Sequence, residues 1–427
     1  MKALSILLGL ACVLSALGAE EPRPLTLKEA REIALRAHPR ITVAELRALV
    51  ARESVRETRS GFLPSLWGSL GAVGAADNNT RIVSGGLPVS SVFDRASASV
   101  NLTQLVTDFG RTANLTDSAR LKARAEEQNA EATRAQLLLQ VDIAYLGGLQ
   151  AEAGLRVAGE TVRTRKSIRD QITALASNKL KSELDASFAE VGLQEAKLLQ
   201  LKTDNEVQSS FATLGAVLGS REAQVYRLVE EAAPPALTNG AAEFTAIALR
   251  DRPDLQRLRL ERDSAVKFAR AERGLHYPTI SIQGTAGVLP YRESGVNHDY
   301  AAAGIVLNLP LFNGFLYEAR DKEAVLRAQA AEAALIEEEN NVIRDTRIAW
   351  LNAGSAYERL AVTVTLVEQS RRSYALAEAR YKTGSSSIVE LNRAQLNLTS
   401  AELTDASARY EYLLRRALLD YQIGHSH

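Results

Sequence analysis

Apolar and polar residues alternate with a period of two in short stretches of this chain. Ile280, Ile282, Gly284, Ala286 and Val288 fall on one side, and Ser281, Gln283, Thr285 and Gly287 on the other. Ala96, Ala98, Val100 and Leu102 alternate in the same way with Arg95, Ser97, Ser99, Asn101 and Thr103. This period predicts strands with one apolar and one polar face. Trp67 to Ala76 and Tyr300 to Leu309 complete the set less cleanly. Strands are therefore expected at about 64–76, 92–105, 278–290 and 299–310. Polar loops, Asp77 to Ser91 and Tyr291 to Asp299, are expected to join each pair.

Elsewhere the apolar residues step by three or four. Val342, Thr346, Ala349, Ala353, Tyr357, Leu360, Val364 and Val367 form one such row, and Leu396, Thr399, Leu403, Ala406, Tyr410, Leu413 and Ala417 another. The spacing is that of coiled-coil packing. Many seam residues are small, which suits close helix packing. Neither Thr112 to about Ala176 nor Glu318 to about Lys382 contains a proline. At 1.5 Å per residue each helix would run on the order of 100 Å. A helix that long needs neighbours alongside, in a tube or rod.

The chain also repeats itself. Ala34-Leu35-Arg36-Ala37-His38-Pro39 recurs as Ala248-Leu249-Arg250-Asp251-Arg252-Pro253, and Pro64 follows Pro39 at the same distance as Pro278 follows Pro253. Pro39 and Pro253 are placed at helix starts, where the missing N–H costs nothing. Pro64 and Pro278 mark the change from helix to strand. Each half reads as short helix, medium helix, strand pair, very long helix, second long helix. The expected division is a signal peptide at 1–19, a first repeat at 24–230, a linker at 231–240 and a second repeat at 241–424.

Composition narrows the class. The 427 residues carry 51 basic and 51 acidic side chains and only 5% aromatics. No basic excess points to nucleic acid. Lys2, the apolar run Leu4 to Leu17 and the small residues Ala16, Gly18 and Ala19 have the form of a cleaved secretory signal. Cys12, the single cysteine, lies inside that run. No disulfide is expected in the mature chain, and Cys12 comes too early for a lipoprotein signal. No later run is apolar enough for a membrane helix. The histidines lack metal-ligand spacing, and no Walker A, Gly-x-Ser-x-Gly or His-Glu-x-x-His pattern occurs. The expectation is a non-enzyme with no cofactor and no metal.

If the strands lie in lipid, they cannot have open edges, because unpaired backbone groups cost several kcal/mol each in hydrocarbon. About eight strands make the smallest membrane barrel. One chain of this kind cannot close alone, so copies must pool their strands. Physics does not supply the number of copies.

With the duplicated helix–Pro–helix openings and the strand pairs go three local motifs. They are Leu309-Pro310-Leu311-Phe312-Asn313-Gly314, Tyr381-Lys382-Thr383-Gly384-Ser385-Ser386-Ser387-Ile388-Val389-Glu390-Leu391 and Ala408-Arg409-Tyr410-Glu411-Tyr412-Leu413-Leu414. In that order, over about Leu25 to Gly424, the chain resembles the TolC family of outer-membrane efflux proteins. The resemblance implies a mainly α fold with β: an internally duplicated protomer of long helical hairpins plus four membrane strands. It implies a homotrimer with a shared β-barrel and α-barrel, in contact with outer-membrane lipid, a periplasmic adaptor and an inner-membrane transporter. It implies no chemistry by the channel itself.

The resemblance also assigns residues. The tunnel entrance falls at the hairpin turns, with Glu390 and Arg393 where the family carries acidic groups. Arg393 departs from an all-acidic ring, and the pair can neutralise itself along one helix; an ordinary solvated helix pair is the alternative. Tyr381 and Asp185 match the polar link that shuts family gates, with seam packing as the alternative for Tyr381. Ser386 replaces the family's gate arginine. Adaptor contact falls on Lys382, Thr383, Gly384 and Ser385, and on Asn178 and Lys179, where Lys179 departs from the turn glycine. Two other classes compete with a channel: a periplasmic adaptor, which carries one hairpin between β-rich halves, and a structural coiled-coil rod, which leaves the alternating segments unexplained.

Overall fold

The computed structural model describes residues 23–425 except 75–79, 85–86, 93, 221–225, 231, 233, 239, 293–294 and 296. The proposed signal peptide lies outside the described residues. In chain order the elements are β1 (Arg23–Leu25), α1 (Leu27–Ala37), α2 (Pro39–Ser60), β2 (Ser65–Val73), β3 (Thr80–Ser84), β4 (Leu87–Val92), β5 (Arg95–Thr107), α3 (Arg111–Ser177), α4 (Glu183–Val217), β6 (Tyr226–Leu228), α5 (Ala241–Asp251), α6 (Pro253–Arg273), β7 (Thr279–Tyr291), β8 (Asp299–Asn308), α7 (Leu316–Lys382) and α8 (Ile388–Gln422). The two very long helices have 67 residues each, and the two that follow them have 35 each. No helix among the described residues is long and apolar enough to cross a membrane.

Local chemistry sets the helix starts. The Thr26 hydroxyl accepts from the Glu29 amide, and the Glu29 carboxylate accepts from the Thr26 amide, a reciprocal cap for α1. His38 and Arg252 are extended, as residues before proline must be, and each ends one helix before Pro39 or Pro253 begins the next.

The chain forms two compact units, and each draws on both repeats. One comprises Arg40–Thr133 and Thr245–Asp345. It holds a four-stranded antiparallel sheet of order β2-β5-β7-β8, so strands from the two halves meet at its centre. The register aligns the alternation across the sheet. Leu66, Leu70, Ala98, Val100, Leu102, Ala286, Ala303 and Ile305 share one face. Ser69, Ser97, Ser99, Asn101, Thr103, Gln283 and Thr285 share the other. The polar face carries its own ladder: Ser69 Oγ to Ser99 Oγ at 2.6 Å, Asn101 Nδ2 to Ser69 Oγ at 3.2 Å and Thr285 Oγ1 to Asn101 Oδ1 at 2.9 Å. The apolar face is bare, with Leu70 88% and Ile305 76% exposed. Below the sheet, α3 and α6 approach through Ser118 and Ser264, each hydroxyl donating to the other's carbonyl. Ala248, Leu255, Leu335 and Val342 form a small apolar core there.

The other unit comprises the described parts of Met1–Pro39, Arg134–Phe244 and Thr346–His427. It contains the later parts of α3 and α7 with the helices α4 and α8 that fold back on them, and β1 and β6 paired in parallel. Contacts hold the end of the first repeat and one residue of the expected linker against α8. Glu230 accepts from Tyr410 at 2.9 Å, and the Tyr412 hydroxyl donates to the Pro235 carbonyl at 2.8 Å.

Two expectations need correcting, and one element was not foreseen. The segment expected as a polar loop from Asp77 to Ser91 contains the antiparallel pair β3–β4. Its β-branched residues Thr80, Ile82, Val83, Val89 and Val92 favour strand, and the surrounding Asn and Ser masked them. The β1–β6 pair was not foreseen. The helix seams also rotate. Val342, Thr346 and Ala353 are buried, but Tyr357 and Val364 are exposed, and Ala356 and Thr363 take their place. On α8, Leu396 is exposed while Gln395 and Leu398 are buried. A helix with apolar residues on two sides offers two rows at helical spacing, and only one is covered within a single chain.

Candidate functional site

The hairpin turns are built twice from one plan. Helix α3 ends in a left-handed residue, Lys179 at φ 60°, and α7 in Gly384 at φ 75°. The amide of Leu180 donates to the Leu175 carbonyl and that of Lys179 to Ala176. Ser385 likewise donates to Arg380 and Gly384 to Tyr381. Both pairs are the Schellman pattern, which satisfies the last carbonyls of a helix. Then Ser182 and Ser387 cap α4 and α8, accepting from the amides of Asp185 and Glu390. These carboxylates sit in the first turn, where the helix dipole favours them.

Lys179 was expected to depart from the turn pattern, yet its backbone holds the glycine conformation. A side chain there costs about 1 kcal/mol against glycine, net of glycine's greater unfolded freedom. Lys179→Gly should raise the denaturation midpoint, and Gly384→Ala should lower it by a similar amount. Equal midpoints for Lys179→Gly and the parent would contradict strain at this turn.

The sequence-derived residues gather at these turns. Asn178, Lys179, Lys382, Thr383, Gly384 and Ser385 are all exposed. Lys382 pairs with Glu378 at 2.8 Å, and the Asn178 amide donates to the Ala174 carbonyl at 2.8 Å. Glu390 does not pair with Arg393. Its carboxylate takes Arg380 Nη1 at 3.1 Å and the Ser386 hydroxyl at 2.6 Å. Helical side chains lean toward the N-terminus, so Glu390 reaches back over the turn and away from Arg393. Arg393 is exposed and makes no ion pair among the described residues.

Tyr381 is 6% exposed and packs with Ile168, Ile172, Ala189, Ile388 and Leu391, a cluster drawn from all four hairpin helices. Its hydroxyl is buried without a hydrogen-bond partner, so no bond to Asp185 forms within this chain. Burial first, and the nearby Asp185 charge second, push the phenol above its ordinary pKa. The Lys181 ammonium lies 4.2 Å from the centre of the Tyr381 ring, a cation–π contact between the two hairpins.

Sequence reasoning missed Lys181, Arg380 and a buried arginine on α3. Arg165, 4% exposed, donates from Nη1 to Asn392 Oδ1 at 2.5 Å. None of these had a local signal: Lys181 and Arg165 acquire their partners only when the two hairpins meet, and Arg380 acquires Glu390 only when α7 and α8 fold back on each other.

Residues 30–220 and 246–425 match the outer membrane efflux protein family. Outer membrane protein TolC of Salmonella enteritidis is 24% identical over 387 residues, 88% of this chain and 77% of that protein. Toluene efflux pump outer membrane protein TtgC of Pseudomonas putida is 24% identical over 324 residues, 73% of this chain and 66% of that protein. A crystal structure of a membrane protein from Pseudomonas aeruginosa superposes with a TM-score of 0.82 at 22% identity, covering 93% of each chain.

Proposed function

The chain belongs to the outer membrane efflux protein family, and on that footing we propose that it is the passive exit duct of a tripartite export system. It is an outer-membrane efflux channel, as its relatives are named. The observation that carries the reading is the four-stranded sheet. Its polar face is internally hydrogen-bonded and its apolar face is bare. A soluble protein would bury that apolar face; a membrane barrel turns it to lipid and keeps the polar face for a water-filled lumen.

The outer strands β2 and β8 each have one unpaired edge in the sheet. Closing those edges in lipid requires further copies of the same sheet. Three copies give a twelve-strand barrel, and a homotrimer is the reading adopted. The energy source is an inner-membrane transporter reached through a periplasmic adaptor, with the exposed hairpin turns as the docking site. The transporter chooses the cargo, whether small molecules or a secreted protein. An adaptor or coiled-coil rod leaves the inside-out sheet without a purpose.

The entrance lies at Glu390 and Arg393, with Tyr381, Asp185 and Ser386 as gate elements. Three copies bring three of each to one constriction, where potentials reach several kT. In planar bilayers, Glu390→Gln should lower the cation-over-anion permeability ratio about twofold or more, and Arg393→Ala should raise it. If neither variant changes the reversal potential, the entrance is elsewhere.

A further inference from the structure

We propose that Arg165 is a positioning residue for the channel entrance: from α3 it clasps Asn392 and so sets where α8 presents Glu390 and Arg393. The inference rests on the channel reading above and adds to it a residue remote from the turns.

Three observations converge. Asn392 lies between Glu390 and Arg393 on α8, and Arg165 holds it by the side-chain oxygen at 2.5 Å, with Nη2 at 3.5 Å from its backbone carbonyl. The clasp thus grips the segment that carries the entrance charges. Next, α4 makes room for it: a Cβ on Gly192 would lie 2.9 Å from Arg165 Nη1 and 3.3 Å from Cζ. Finally, the guanidinium is buried with no carboxylate in ion-pair range among the described residues. Burial lowers its pKa, and the nearby Glu195 carboxylate only partly compensates.

A buried arginine held by a neutral amide is a poor choice for stability alone, since an apolar residue of similar volume is often neutral or better. It is a good choice for a joint that must hold and also release. A carboxylate would lock the arginine, whereas a carboxamide gives a directional hydrogen bond without a second charge. The clasp joins α3 of one hairpin to α8 of the other, so any relative movement of the hairpins loads this bond. Without it, α8 is free to shift the Glu390 segment relative to α3.

The test uses the purified full-length oligomer in planar bilayers, with thermal unfolding measured alongside. Asn392→Leu leaves the buried Arg165 guanidinium without its partner and risks misfolding, and Arg165→Met leaves the half-buried Asn392 amide unpaired. The double variant R165M/N392L removes both partners, which is the tolerated case. The double variant is expected to raise open-state occupancy about tenfold, the effect of losing one charge-assisted hydrogen bond. Its unfolding temperature should stay near that of the parent. Gly192→Ala, which displaces the guanidinium but deletes neither partner, should shift occupancy in the same direction. If both variants open and select ions as the parent does, Arg165 only packs the wall and the inference is overturned. A parent that forms no conducting channel would overturn the channel reading, and this inference with it.

Discussion

Leu70→Arg will abolish stable assembly in the outer membrane, whereas Ser69→Arg, one residue earlier, will leave assembly intact. Leu70 is at the middle of β2 and lies on the bare apolar face, opposite Ala98. Ser69 points the other way, onto the polar ladder with Ser99 and Asn101. An arginine facing lipid at mid-depth costs about 2–4 kcal/mol in a membrane barrel, and a symmetric oligomer incurs that cost in every copy. An arginine facing the lumen is hydrated and loses little more than an exposed hydroxyl contact. The readout is the amount of oligomer extracted from outer membranes by detergent. Similar loss in both variants, or in neither, would mean that the two faces do not differ in environment.

The second large effect is expected at Tyr145. It is fully buried on α3, and its hydroxyl lies 2.8 Å from the Leu25 carbonyl, 2.7 Å from the Val229 carbonyl and 3.0 Å from the Val229 amide. One phenol has one proton, so it donates to one carbonyl at a time while accepting from the amide. These groups end the β1–β6 pair, whose strands have three residues each. A pair that short has little cooperativity of its own. Tyr145→Phe should cost about 0.5–1.5 kcal/mol, the net worth of a hydrogen bond, because the Val229 amide still donates to the Leu25 carbonyl at 3.1 Å. Tyr145→Ala should cost about 3–5 kcal/mol, because a ring-sized cavity is added. Denaturant titration orders parent, Phe and Ala variants. A Phe variant as stable as the parent would show that packing, not the hydroxyl, anchors the pair.

What the sequence disclosed was whatever has a short period or a local cause. Pro39 and Pro253 marked helix starts because a missing N–H and a fixed φ act on the residue itself. The strand alternation was legible because it is unbroken from Arg95 to Thr103 in β5 and from Ile280 to Ala286 in β7. The seam along α7 was half legible. Val342 and Thr346 were placed correctly, but Tyr357 and Val364 belong to a second apolar row that one chain leaves uncovered. The β1–β6 pair was hidden because three-residue strands carry almost no pattern and their partners are distant in sequence. The entrance behaved in the same way. Glu390 was located by motif, but its partner Arg380 comes from the preceding helix rather than from Arg393 on its own. Arg165 and Asn392 meet only through packing of two hairpins.

Native mass measurement of the mature chain, extracted from outer membranes in detergent, tests the pooling of strands most directly. The sheet's two open edges and its lipid-suited face predict one dominant species of several identical chains, and the proposed family assembly sets that number at three. A particle of one chain, stable in water once detergent is removed, would contradict it.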